Sequence, residues 1–235
     1  MNADLAVKLR SEIYPTDVLL GQRPPTLAER TKLVSKCVES KLSIFSAAQV
    51  VAKTPVSPKD KNWRGRALEA YLGGQNRSGA SRDFEDGELK STRVLGEPGN
   101  WRIEQTLRIT TLSHTSGDHR KVFERTPFYD KISCFTCVMF DSEKNDINSG
   151  HFVGTFLFRI TDHENFLPQI REDYEFYLRK AAASSRISSK IKSPHGFLGC
   201  RQTAGVAGVV SATSLYITPV KFNELLTFYG VNNAP

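Results

Sequence analysis

The chain contains no run of eighteen or more apolar residues, so the sequence offers no segment able to cross a bilayer as a helix. Residues Met1 to Tyr14 alternate charged and apolar side chains and lack the apolar core of a signal peptide. The expectation is a soluble, intracellular protein. Cysteine is also scarce. Cys37, Cys134, Cys137 and Cys200 are too few in 235 residues to staple a secreted scaffold, and reduced thiols are expected. Cys134 and Cys137 form a C-x-x-C pattern, but no second close pair accompanies them and they fall inside an apolar run. That placement favours structural thiols over a zinc site. The five histidines, at positions 114, 119, 151, 163 and 195, are scattered without ligand spacing. Internal repeats and a low-complexity tail are absent.

What is present is a moderate positive charge. Lysine and arginine outnumber acids by 32 to 25, giving a formal charge of +7 and a pI near 9.3, which favours a polyanionic partner. Nucleic acid leads, with an anionic membrane surface as the runner-up. An apolar content of 39% in a chain of this length supplies a core for one large domain or two small lobes.

The pattern along the chain divides it into an N-terminal helical region, residues 1–53, and a larger unit, residues 60–235, that together form one structural body. Pro24-Pro25 interrupts the helices, and Thr26 is an N-cap before Leu27-Ala28-Glu29. A polar connector with Pro55 and Pro58 leads to a helix starting near Trp63, whose apolar stripe is Trp63, Ala67, Leu68, Tyr71 and Leu72, with Glu69 at its edge. Residues 73–82 form a Gly-, Ser- and Arg-rich loop. Strands are predicted over 101–111, 132–140, 152–160, 196–203 and 214–218, and helices over 170–183 and 219–229.

The segment Asp83-Phe84-Glu85-Asp86-Gly87-Glu88-Leu89-Lys90 carries the chemistry. On a strand Glu88 and Lys90 share a face while Leu89 turns away, so a carboxylate and an ammonium project together. With an upstream Asp and the Leu89 carbonyl, they provide hard oxygen ligands for a divalent cation. A Glu-x-Lys triplet is also an ordinary pairing on any solvated strand. Strand parity puts Asp86 on the face of Glu88 and Lys90 and Asp83 on the other, unless Gly87 lets the chain turn, so both stand as upstream ligand candidates.

Read with Trp63-Arg64-Gly65-Arg66-Ala67-Leu68-Glu69-Ala70-Tyr71-Leu72-Gly73, this segment resembles the MutH family of DNA endonucleases, which includes GATC-cutting restriction enzymes of the Sau type and belongs to the PD-(D/E)XK nucleases. The family pattern pairs a helix carrying a Glu before a Leu-Gly end with an Asp and an E-L-K strand, here Glu69, Asp83, Glu88 and Lys90. Weaker similarity follows in Asp130-Lys131-Ile132, Arg171-Glu172-Asp173-Tyr174-Glu175, His195 to Arg201, and Leu215-Tyr216-Ile217. The resemblance covers residues from about Asp60 to near the C terminus.

It implies an α/β (α+β) fold: a restriction-endonuclease-like core with a mixed central sheet flanked by helices, in two lobes around a DNA cleft. It also implies a magnesium-dependent endonuclease cutting double-stranded DNA to leave 5′-phosphates. Asp83, Glu88 and the Leu89 carbonyl would hold Mg2+, with Asp86 as the alternative ligand and Glu69 completing a second metal site or standing in the outer shell. Lys90 would act on the attacking water, and Lys131, at the start of a core strand, would be an accessory. Arg77, Arg82, Lys190 and Lys192 are candidate phosphate contacts, and Arg201 and Tyr216 candidate groove or backbone contacts. The protein would act as a monomer or homodimer with no membrane association. The alternatives are a mismatch-repair nickase activated by a repair-protein partner, and a catalytically silent DNA-binding relative.

Overall fold

The computed structural model describes residues 3–51, 63–74, 83–103, 106–112, 121–141, 150–184, 187–202 and 213–232. In chain order the elements are α1 (Ala3–Ile13), α2 (Thr16–Leu19), α3 (Leu27–Glu39), α4 (Ile44–Val51), α5 (Trp63–Tyr71), β1 (Glu88–Leu95), β2 (Arg102–Ile103) and β3 (Leu107–Leu112). They continue with α6 (Pro127–Ser133), β4 (Cys134–Phe140), β5 (Phe152–Arg159), α7 (Phe166–Ala183), β6 (Leu198–Gln202), β7 (Thr213–Ile217) and α8 (Pro219–Phe228). Among the described residues no helix is long and apolar enough to cross a membrane.

Local chemistry sets several of these boundaries. Thr26 opens α3 through a capping box: its hydroxyl accepts from the Glu29 amide, and the Glu29 carboxylate accepts from the Thr26 amide at 2.8 Å. Thr126 and Thr218 cap α6 and α8 in the same hydroxyl-to-amide manner, each followed by a proline in the first turn, where the missing N–H costs nothing.

Two sheets form. The first is mixed, with order β2-β1-β4-β5, β1 parallel to β4 and the other pairs antiparallel. The second is antiparallel, with order β3-β7-β6. Residues of one strand alternate between faces. Leu89 and Val138 accordingly pack with Leu33, Ala47, Leu68 and Tyr71 in one core, on the side of α1, α3, α4 and α5. Val94, Phe135, Cys137 and Met139 pack with residues of α6, α7, α8 and the second sheet in another. Tyr14 donates to the Leu72 carbonyl at 3.0 Å and Tyr71 to the Ala6 carbonyl at 2.8 Å, tying α5 to the first helices.

The structure departs from the sequence pattern at the strands predicted over 101–111 and 132–140. The predicted strand over 101–111 is two strands in different sheets: β2 pairs with β1, and β3 pairs with β7. Alternate burial persists through both halves, so periodicity alone does not show where the chain changes partners. The apolar run from Ile132 begins in α6 rather than in a strand, which moves Lys131 from a strand start to the last turn of a helix. Cys134 and Cys137, three residues apart on β4, project to opposite faces, and all four cysteines are free.

Asp173 on α7 organises the second sheet. It is fully buried, and its carboxylate accepts from the amides of His195, Phe197 and Leu198 at 2.8–2.9 Å, which fixes the entry to β6. Across β6 and β7, Gly199 leaves room for the Tyr216 ring, since a Cβ there would lie 2.5 Å from it.

Candidate active site

Strand β1 is paired unevenly. Its residues Glu88 to Arg93 pair with β4 on one side, whereas β2 reaches only Val94 and Leu95 on the other. Among the described residues the first six positions of β1 thus present a strand edge without a strand neighbour. Before β1 the chain doubles back. The Phe84 amide donates to the Gly87 carbonyl at 3.1 Å and the Gly87 amide to the Phe84 carbonyl at 3.4 Å, which places Glu85 and Asp86 at the tip of a tight turn. A Cβ at Gly87 would lie 3.2 Å from the Cys134 carbonyl oxygen, a tight contact that favours glycine there.

The turn brings Asp83 opposite Glu88. The Asp83 amide donates to Glu88 Oε2 at 3.2 Å, and the Leu89 amide donates to Asp83 Oδ2 at 2.9 Å. Parity within one strand therefore does not govern Asp83. A residue's N–H and C=O leave an extended strand on the same side. The Leu89 carbonyl consequently points to the edge where Asp83 receives the Leu89 amide. Asp86 goes elsewhere: its carboxylate accepts from Arg30 Nη2 at 2.5 Å and from the Leu27 amide at 2.8 Å, on the side of α3.

Glu88 is the centre of the charge arrangement. Only 3% exposed, it pairs through Oε1 with Lys90 Nζ at 2.6 Å and with Lys131 Nζ at 3.5 Å. Removing one member of a buried pair costs about 3–5 kcal/mol because the remaining charge is stranded. Here the charges are a carboxylate and two ammonium groups, so truncating either lysine leaves the other in place.

Glu69 arrives from α5. That helix ends in a Schellman motif: the Gly74 amide donates to the Glu69 carbonyl at 2.8 Å and the Gly73 amide to the Ala70 carbonyl at 3.1 Å, with Gly73 at φ +83°. Gly74 makes room for the glutamate, since a Cβ would lie 2.6 Å from Glu69 Cγ. Burial, followed by the nearby Asp83 and Glu88 charges, pushes the Glu69 carboxyl up to about 7. Burial and then Glu88 also raise Asp83 above the ordinary carboxylate range. In both cases burial is the first cause and the neighbouring carboxylates add to it, while Lys90 and Lys131 act in the opposite sense.

These groups line a cleft of about 680 Å³ between α5, β1 and β3. Arg64 and Arg66 on the first turn of α5, Arg93 on β1 and Arg108 on β3 line it as well, so cations outnumber carboxylates. The sequence pattern does not single out these arginines as functional. The spacing of Arg66 and Glu69 along α5 and the outward parity of Arg108 on β3 are the signals that could have found them.

The structure gathers Glu69, Asp83, Glu88, Leu89, Lys90 and Lys131 at this cleft. The remaining candidates are dispersed. Lys190 and Lys192 are exposed between α7 and β6, Arg201 is exposed on β6, Tyr216 is half-buried on β7, and none of the four lines the cleft. Arg77 and Arg82 lie outside the described residues. Among the described residues no group of three or more His, Cys, Asp or Glu side chains is arranged to hold a metal ion. The donor set here is smaller, two carboxylates and one carbonyl. It fits magnesium, which takes one or two carboxylates and completes its shell with water and phosphate oxygens. The chain matches no protein-family model, and a search of curated proteins finds no match.

Proposed function

We propose that this protein is a magnesium-dependent endonuclease of restriction type acting on double-stranded DNA. The observation that carries the reading is the pairing of Asp83 and Glu88 across a tight turn, with Lys90 and Lys131 on Glu88, at an open strand edge facing an arginine-lined cleft. The fold this reading carries is the restriction-endonuclease-like one, with the cleft as the DNA site.

Asp83, Glu88 and the Leu89 carbonyl would hold the magnesium ion, with Glu69 in its outer shell. When bound, such an ion acts as a Lewis acid on the phosphate and makes a bound water more acidic. The protein's own groups do the rest. Lys90, fixed by Glu88, orients the attacking water and offsets the negative charge that grows on the phosphate oxygens. Lys131 adds a second positive charge at the same Glu88 oxygen. Glu69, with a carboxyl poised near neutral pH, is suited to take up the water's proton. The arginines of the cleft meet the phosphate backbone. Attack on phosphorus breaks the bond to the 3′ oxygen and leaves a 5′-phosphate.

Purified protein incubated with unmethylated plasmid and Mg2+ should yield discrete linear fragments whose sequenced ends carry 5′-phosphates. Slow nicking alone would point to the partner-activated nickase, and intact plasmid bound without cutting to a silent DNA-binding protein.

A further inference from the structure

Asp86 turns away from the cleft, yet it is the better anchored of the two upstream aspartates. Its carboxylate meets Arg30, a residue only 3% exposed, whose Nη1 donates to the Pro25 carbonyl at 2.7 Å and whose guanidinium carbon lies 3.8 Å from the Phe84 ring centroid. The other carboxylate oxygen takes the Leu27 amide at the start of α3, where the helix dipole favours negative charge. From the opposite side Cys134 Sγ donates to the Asp86 carbonyl at 3.5 Å, and a Cβ at Gly87 would lie 3.2 Å from the Cys134 carbonyl oxygen, so turn and strand run close together there. The turn is thus clamped between α3 and β4.

We infer that Arg30 and Asp86 are positioning residues: through them α3 fixes the turn, and the turn fixes the separation of Asp83 and Glu88. In function this rests on the endonuclease reading, but its geometric half does not. The clamp contributes little to the cores. Glu85 and Asp86 are exposed, and Phe84 alone of the turn's tip and flanks reaches the apolar cluster. Loosening it releases the two hydrogen bonds that hold Asp83 against Glu88 and Leu89 while the packed strands stay in place. The pair joins a buried guanidinium to a half-exposed carboxylate, and it restricts orientation strongly because both partners have further fixed contacts.

The test is amide hydrogen exchange of the full-length protein without divalent cations, in the parent, Arg30→Met and Asp86→Asn. Methionine keeps an apolar stem over Phe84 and removes the donors, and asparagine keeps an acceptor for Leu27 and removes the charge. Exchange at the Asp83 and Leu89 amides should accelerate by about tenfold or more, with the Val138 and Phe158 amides unchanged. In the plasmid assay kcat should fall with KM for DNA unchanged, and Arg30→Lys should recover part of both effects. Unchanged Asp83 and Leu89 protection in both variants overturns the inference. So does equal acceleration across all amides in both, which would make the pair a plain stabilising contact. If the two amides respond and even the parent cuts no DNA, the positioning role stands and the endonuclease reading falls.

Discussion

At the scale of the residue, the chemistry turns on carboxylates held in unlike surroundings. Glu69 keeps its proton up to about pH 7 in the folded protein and to about 4.5 when unfolded. The folded state therefore binds more protons between these values, and stability contributed by this group falls as pH rises from about 4.5 to 7. Glu69→Gln, which cannot ionise, should match or exceed the parent in urea midpoint at pH 8 and lose that advantage at pH 4; an advantage independent of pH would contradict the assignment. Asp173 is a fully buried carboxylate that accepts from three backbone amides. Asp173→Ala leaves those donors without partners and should lower stability by about 3 kcal/mol or more, read as a shift in denaturant midpoint.

At the scale of the element, helices with clear stripes and caps are legible in the sequence. Thr26 and Pro219 fall at helix starts that the pattern predicts, and α7 and α8 lie near their predicted spans. The signal at Thr126-Pro127 is masked because the apolar run from Ile132 continues without a break from α6 into β4. The division of residues 101–111 is hidden for another reason: alternation reports burial and says nothing about which strand lies alongside. At the site, Glu88 and Lys90 follow from strand parity alone. The preference between Asp83 and Asp86 does not, because a tight turn reverses the chain between them, and Arg30, which takes up Asp86, lies more than fifty positions away in sequence. The end of α5 gives a prediction at this scale. Gly73→Ala forces a positive φ on a residue with a Cβ and presses it on Pro25, 2.9 Å away, and should cost about 1–2 kcal/mol. Gly74→Ala displaces Glu69 instead, and should cut catalytic rate more than it lowers the melting temperature.

At the scale of the whole molecule, the net charge of +7 takes on a location. Arg64, Arg66, Arg93 and Arg108 line the cleft of the acidic centre, and under the proposed endonuclease reading the phosphates of DNA would meet Asp83 and Glu88 there. Neutralised phosphates release counterions, and DNA affinity should fall steeply as salt rises. Arg66→Ala and Arg108→Ala should each weaken binding and flatten that dependence, the slope of log affinity against log salt falling by about 0.9 for each phosphate that is no longer neutralised. A slope unchanged in both variants would move the DNA path away from this cleft. The most direct measurement is cleavage of supercoiled plasmid with Mg2+ by the parent and by Lys90→Ala, with folding of the variant checked by its melting curve. The parent should cut, and the variant should bind DNA but cut about 10²–10³ times more slowly. Equal rates in a folded Lys90→Ala would contradict the assignment of Glu88 and Lys90 as the reacting pair.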